Sequence, residues 1–365
     1  MKVRILIIGS TGQLGIKLLK FCFLNSIDVD SITCNTNIKL LKKQSNDFNI
    51  KNIFCLSDKI DLNLFNEYIK KTTLNIIYFL DHGSESLNLL FNILKFQKKT
   101  YIAIANKEML IAGNNILIDS IRNSKNYFIP LDSEHFSVIN NKLSNDDIQN
   151  IFITASGGPF YKNKKINLNN VSQKRVLSHP KWKMGKNNLI DSSNFINKLL
   201  EIFELSIIYK INIEKINFLV SPEAFIHSII LYKNHIFTLN CFNNDMLITL
   251  SYPLSKFFDF KLNLKQKKFM NHNNYYFEEF NDKRFNIIKY FKILKKLDHQ
   301  KQIDFMLLNN IAQKLYLSKK IQYNSIVKFI IKNLNFKGES FHLRSYSDIL
   351  RYIKYRKLDY KRLLI

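Results

Sequence analysis

The sequence predicts an α/β protein whose first 130 residues form a doubly wound parallel sheet. Apolar, β-branched runs at Val3–Ile8, Val29–Thr33, Ile76–Leu80 and Tyr101–Ala105 alternate with segments of helical period at Ser84–Phe96 and Met109–Asn123. A glycine-rich turn, GSTGQLG at 9–15, lies between the first run and the first helix, where such sheets place one. The start, MKVRILIIG, has the charged-then-apolar order of an export signal. Its apolar core stops at Gly9 with no small-residue cleavage site after it, so it reads as the first strand.

With 365 residues, 46% hydrophobic and 23% charged, the chain is expected to be folded and multi-domain. Cys22, Cys34, Cys55 and Cys241 are too few for a disulfide scaffold and form no CxxC pair. That excludes a zinc ribbon and a thioredoxin-like motif, and fits a reducing, cytoplasmic setting. No stretch reaches the roughly 18 uncharged apolar residues of a membrane span. Even residues 196–213 are broken by Lys198, Glu201, Glu204 and Lys210. Lys+Arg 55 against Asp+Glu 29 gives a net charge of +26, which permits polyanion binding. The basic residues are spread along a chain rich in Lys, Asn and Ile, however, so neither nucleic acid nor membrane is an expected partner.

In GSTGQLG, Gly9, Gly12 and Gly15 stand where backbone turns tightly and approaches a pyrophosphate, with helix N-terminal amides facing it. Thr11 takes the usual second-glycine slot, and a purely structural turn is the competing reading. NAD sites carry an acid about 20 residues further on. Here Cys34, Asn35, Thr36 and Asn37 occupy that place, with no carboxylate to repel a 2′-phosphate and no basic residue before Lys39. The balance favours NADPH.

LDSEH at 131–135 follows the apolar run Tyr127–Ile129 and Pro130. If the strand continues, Asp132 and Glu134 share a side and converge on a cation; two solvated loop acids are the alternative. TASGGPF at 154–160 offers the Ser156 hydroxyl beside Gly157 and Gly158, a combination suited to phosphate. HPKWKMG at 179–185 holds the only tryptophan and reads as a lid or as a loop anchored to the core. DSSNFINKLLEIFE at 191–204 predicts a helix capped by Asp191, Ser192 or Ser193. Asn197 and Glu201 share a face of it and Lys198 neighbours Glu201, an arrangement that serves a phosphate and a metal or is ordinary surface charge.

In this order GSTGQLG, ANKE at 105–108, DSEH, SGGPF, HPKWKMG, the NK–E helix and IHS at 226–228 resemble the 1-deoxy-D-xylulose 5-phosphate reductoisomerase family. The resemblance runs from Gly9 to Met246, and more loosely through 307–326. It implies an NADPH-binding domain at 1–150, a central α+β catalytic domain with a lid at 151–260, a linker at 261–285 and a C-terminal helical domain at 286–365, in a homodimer. It implies rearrangement of a sugar phosphate, followed by hydride delivery from NADPH, to 2-C-methyl-D-erythritol 4-phosphate in isoprenoid precursor biosynthesis.

By matched position, Asp132, Glu134 and Glu201 are the implied ligands of Mg²⁺ or Mn²⁺, and Lys107, Glu134 and His179 the implied catalytic set. Ser156, Ser192, Asn197 and Lys198 match the phosphate pocket, Ser133 and Lys107 contacts to sugar hydroxyls, and His179, Trp182 and Met184 the lid over the substrate. Gly9, Ser10, Thr11, Gly12, Gln13 and Leu14 match the pyrophosphate loop. Asn37, Asn106 and Glu108 match further cofactor contacts, and Met246 a residue near the nicotinamide. The chain departs from the family at Leu199, where a glycine is usual, at Asn35–Asn37, at DHGSES in 81–86, at Lys183 and at Ala224, and it is shortened after Met246. The rivals are a metal-independent dehydrogenase of another phosphorylated carbonyl compound and a basic nucleic-acid-binding protein that has lost catalysis.

Overall fold

The computed structural model describes residues 3–178, 185–262, 264, 274–334 and 341–364. It divides into two compact units, Met1–Ile139 with Asp245–Lys268, and Asn140–Asn244 with Phe269–Ile365. Among the described residues no helix is long and apolar enough to cross a membrane.

The first unit holds six strands, β1 (Ile5–Ile8), β2 (Ser31–Cys34), β3 (Asn52–Cys55), β4 (Ile76–Phe79), β5 (Tyr101–Ile104) and β6 (Tyr127–Pro130). All pair in parallel, in the order β3-β2-β1-β4-β5-β6. Every residue of β1 and β4 is buried, as expected of central strands covered on both faces. The strand order reverses between β1 and β4, so the segments after Ile8 and after Phe79 meet at the switch point where open α/β sheets bind ligands.

One element of this unit comes from far along the chain. Helix Met246–Phe258, within the stretch the sequence assigns to the central domain, packs Leu250 and Leu254 into the same core as Ile5, Ile7, Leu18 and Tyr78. The buried Tyr78 hydroxyl donates to the Leu250 carbonyl at 2.8 Å, and Tyr101 stacks on Phe257 with ring centroids 4.2 Å apart.

The second unit is built on β7 (Ile148–Ala155), β8 (Ile216–Val220), β9 (Ile226–Tyr232) and β10 (Phe237–Cys241), ordered β10-β9-β7-β8. β7 runs parallel to β8 and antiparallel to β9, which pairs antiparallel with β10. The 191–204 segment, expected to be one helix, is two, Lys186–Asn194 and Ile196–Tyr209, broken at Phe195 with φ +66°. Asp191, Ser192 and Ser193 therefore lie inside the first helix and cap neither. The second helix starts with the Ile196 amide donating to Asn194 Oδ1 at 2.9 Å. Tertiary packing sets the break, because the Phe195 ring is buried and stacks on Phe280 at 4.1 Å. The C-terminal region is helical as predicted, with helices Asn286–Lys295, His299–Leu317, Ser325–Asn333 and Tyr346–Tyr360. In the last, a capping box joins Ser345 and Asp348.

Candidate active site

At the switch point Gly9 takes φ +82°, and a Cβ there would lie 2.7 Å from the Asp81 amide nitrogen, so the turn after β1 accepts only glycine. Ser10 is fully buried. Its amide donates to the Thr33 carbonyl at 2.9 Å, its hydroxyl to Gln44 Oε1 at 2.8 Å, and Gln44 Nε2 returns a bond to the Ser10 carbonyl at 2.8 Å. The Ser10 side chain thus fastens the loop to the helix Ile38–Asp47, leaving its backbone to face a ligand. Helix Gln13–Leu24 begins at Gly12 without a side-chain cap, so its first amides suit a pyrophosphate; Thr11, Gly12 and Leu14 are partly exposed and Gln13 is exposed.

Asn37 is exposed and caps Ile38–Asp47 through the Leu40 amide at 3.2 Å. Asn106 is fully buried, caps Lys107–Asn123 through the Met109 amide at 2.9 Å, and donates to the Gly83 carbonyl at 3.0 Å. Glu108 is partly exposed in the first turn of that helix. Met246, also partly exposed, opens its helix after Asp245, whose carboxylate meets Lys17 at 2.7 Å. The sequence reading overlooked two residues here. Gln44 has no motif to mark it. Asp81, directly beyond β4, accepts from Ser86 and Asn106, and burial holds its carboxyl above the ordinary range while those bonds pull it down.

The DSEH stretch is not strand. β6 ends at Pro130, and Asp132 is the N-cap of a short helix, Ser133–Ser137, accepting from the Glu134 amide at 3.3 Å. An aspartate whose side chain can reach a free amide two residues on favours the cap over continued extension. Asp132 and Glu134 therefore project from a cap and a first turn, not from alternate strand positions. The Lys107 ammonium pairs with Asp132 Oδ2, and the Ser133 hydroxyl donates to Glu134.

In the second unit Glu201 is 1% exposed, and each of its oxygens accepts from the same helix: Lys198 Nζ reaches Oε2 at 2.6 Å and Asn197 Nδ2 reaches Oε1. The i, i+3, i+4 spacing does what the sequence indicated, but on a buried face. A carboxylate and an ammonium both taken from water here need each other. Ser156 follows β7 and is partly exposed. After it Gly157 and Gly158 have φ +90° and +64°, and a Cβ on Gly158 would lie 3.1 Å from the Ser192 carbonyl oxygen. The double-glycine turn thus rests on the peptide of Ser192, itself partly exposed. His227 of the IHS stretch is buried and stacks on Phe242 at 4.0 Å. Leu199 is fully buried. His179, Trp182 and Met184 lie outside the described residues.

Asp132 and Glu134 in the first unit and Glu201 in the second each offer carboxylate oxygens. Three hard, anionic donors fit Mg²⁺ or Mn²⁺.

Comparison with known proteins bears on the whole chain. The family profile described as the 1-deoxy-D-xylulose 5-phosphate reductoisomerase C-terminal domain matches residues 128–209. The 1-deoxy-D-xylulose 5-phosphate reductoisomerase of Pelagibacter ubique (strain HTCC1062) is 34% identical over 356 residues, 91% of each chain. That of Thermoanaerobacter pseudethanolicus is 28% identical over 364 residues, again 91% of each. Among solved structures, the Zymomonas mobilis reductoisomerase in complex with NADPH aligns with a TM-score of 0.82 at 23% identity, covering 100% of this chain and 99% of that one. A DOX-P reductoisomerase in complex with NADPH, fosmidomycin and magnesium aligns at 0.85 and 20%, covering 99% and 98%. At such identities the solved structures speak for the fold, whereas the Pelagibacter relative, matched nearly end to end, identifies the lineage: the chain belongs to the 1-deoxy-D-xylulose 5-phosphate reductoisomerase family.

Proposed function

We propose that this chain converts 1-deoxy-D-xylulose 5-phosphate to 2-C-methyl-D-erythritol 4-phosphate, using NADPH and a divalent cation, in isoprenoid precursor biosynthesis. The observation that carries this reading is the 34% identity with a reductoisomerase along 91% of both chains. The NADPH and magnesium held by solved relatives supply the cofactor assignment.

Asp132, Glu134 and Glu201 would hold Mg²⁺ or Mn²⁺, which when bound stabilises negative charge developing on the ketose oxygens. Lys107 presents its ammonium to a sugar hydroxyl alongside Ser133. Lys107, Glu134 and His179 are the groups proposed to hold and move protons at the reacting carbons. Lys198, Asn197, Ser156 and Ser192 take the phosphate, an anchor remote from the chemistry that fixes orientation. His179, Trp182 and Met184 cover the substrate and exclude water. The backbone of Gly9, Ser10, Thr11, Gly12, Gln13 and Leu14 takes the pyrophosphate, with Asn37, Asn106, Glu108 and Met246 completing the cofactor site. The functional division we propose is 1–150, 151–260 and 286–365, with 261–285 as linker.

We assign the enzyme as a cytoplasmic homodimer. Four free thiols, with Cys241 exposed, suit a reducing compartment. The edge strand β10 exposes Phe237 and Leu239 at 61% and 54%, an apolar edge with no second partner strand among the described residues and suited to a second copy.

The test is NADPH oxidation with and without the ketose phosphate and a chelator. Turnover is expected only with substrate and metal together, and Glu201→Gln should lower it by about 100-fold or more. Turnover that survives the chelator overturns the metal assignment.

A further inference from the structure

Asp191 is a carboxylate 6% exposed inside a helix, where an unsatisfied charge is costly. Helix His299–Leu317 satisfies it: Asn309 Nδ2 reaches both oxygens at 3.0 Å, and Gln313 Nε2 reaches Oδ1 at 2.6 Å. Gln313 also reaches the Asn187 carbonyl at 3.4 Å. Two residues along, the buried Tyr323 hydroxyl donates to the Ser193 carbonyl at 2.7 Å. Ser193 bonds the Ile190 carbonyl at 2.7 Å, and Asn194 Oδ1 accepts from the Ile196 amide at 2.9 Å, fixing where the Asn197–Lys198 turn begins. Of residues 191–194, Ser192 alone has a side chain with no hydrogen bond among the described residues, and its carbonyl rests on the Gly158 turn.

We infer that Asp191 is a positioning residue for the substrate's phosphate end: anchored by Asn309 and Gln313, it holds the helix that presents Ser192. Adjacent helical residues point about 100° apart, so Asp191 works through the backbone and does not touch the phosphate. The inference rests on the proposed phosphate pocket of Ser156, Ser192, Asn197 and Lys198.

In the full chain with NADPH and magnesium, Asp191→Leu should raise KM for the ketose phosphate by about 10-fold, with kcat within about 2-fold and KM for NADPH unchanged. Asp191→Asn should restore most of the loss. Asn309 Oδ1 and Gln313 Oε1 are buried without partners and can turn to accept from the new amide. Should the leucine variant fail to fold, Gln313→Leu, which leaves the two Asn309 bonds to Asp191 in place and deletes the 2.6 Å bond together with the longer contact to the Asn187 carbonyl, should still raise KM by a smaller factor. Unchanged KM in a folded variant, a loss confined to kcat, or no rescue by asparagine overturns the inference while the proposed function stands. Absence of wild-type turnover strikes the function instead. The inference is then decided by titrating inorganic phosphate under phosphorus NMR: weaker binding in the variants supports it and equal binding overturns it.

Discussion

Asp81 follows β4 so closely against Gly9 that no side chain fits between them. Burial raises its carboxyl above the ordinary value of 3.8, against the pull of Ser86 and Asn106. The folded chain therefore holds this proton more tightly than the unfolded one, and the associated stability is full at low pH and lost as pH rises through the folded value. Asp81→Asn should gain on the wild type between about pH 4 and pH 7 in urea denaturation; a pH-independent difference would refute it. Leu199 presents a contrast. Where the family pattern has a glycine, this leucine side chain is fully buried. Leu199→Ala should destabilise by about 2–5 kcal/mol without raising turnover, measured by urea denaturation and the coupled assay. The Asn197, Lys198, Glu201 set was legible because helical spacing alone makes those side chains neighbours. Asp132 and Asp191 were not legible in the same way. An aspartate beside a strand end or at the head of an apolar run suits several local roles, and only the amide it meets decides among them.

Elements were readable where a period was complete. β1, β4 and β5 fall inside the runs marked from sequence, shorter by a residue or two at the ends, whereas β2 starts two residues into its run and extends one residue past it to Cys34. β3, a four-residue edge strand with two partly exposed residues, carries too little alternation to stand out. An edge strand of the second unit's sheet, β10, does alternate, but with its apolar side outward. If that edge joins two copies, Leu239→Lys should shift the protein from dimer to monomer in size-exclusion chromatography with light scattering; a dimer that persists would place the interface elsewhere.

Across the whole molecule, a net charge of +26 opposes compaction through self-repulsion. Raising monovalent salt from about 10 mM to about 200 mM shortens the Debye length from roughly 30 Å to under 10 Å, so the melting temperature should rise. A melting temperature that falls with salt would mean that local ion pairs outweigh the excess positive charge. The return of Met246–Phe258 to the first sheet has its own outcome, this time for biosynthesis. Emerging from the ribosome, the first six strands lack the cover that Leu250 and Leu254 give them, and the Tyr78 hydroxyl has yet to meet its acceptor. The nucleotide half must therefore wait for most of the polypeptide to be translated, and a fragment ending at residue 150 would be a client for chaperones rather than an independent module.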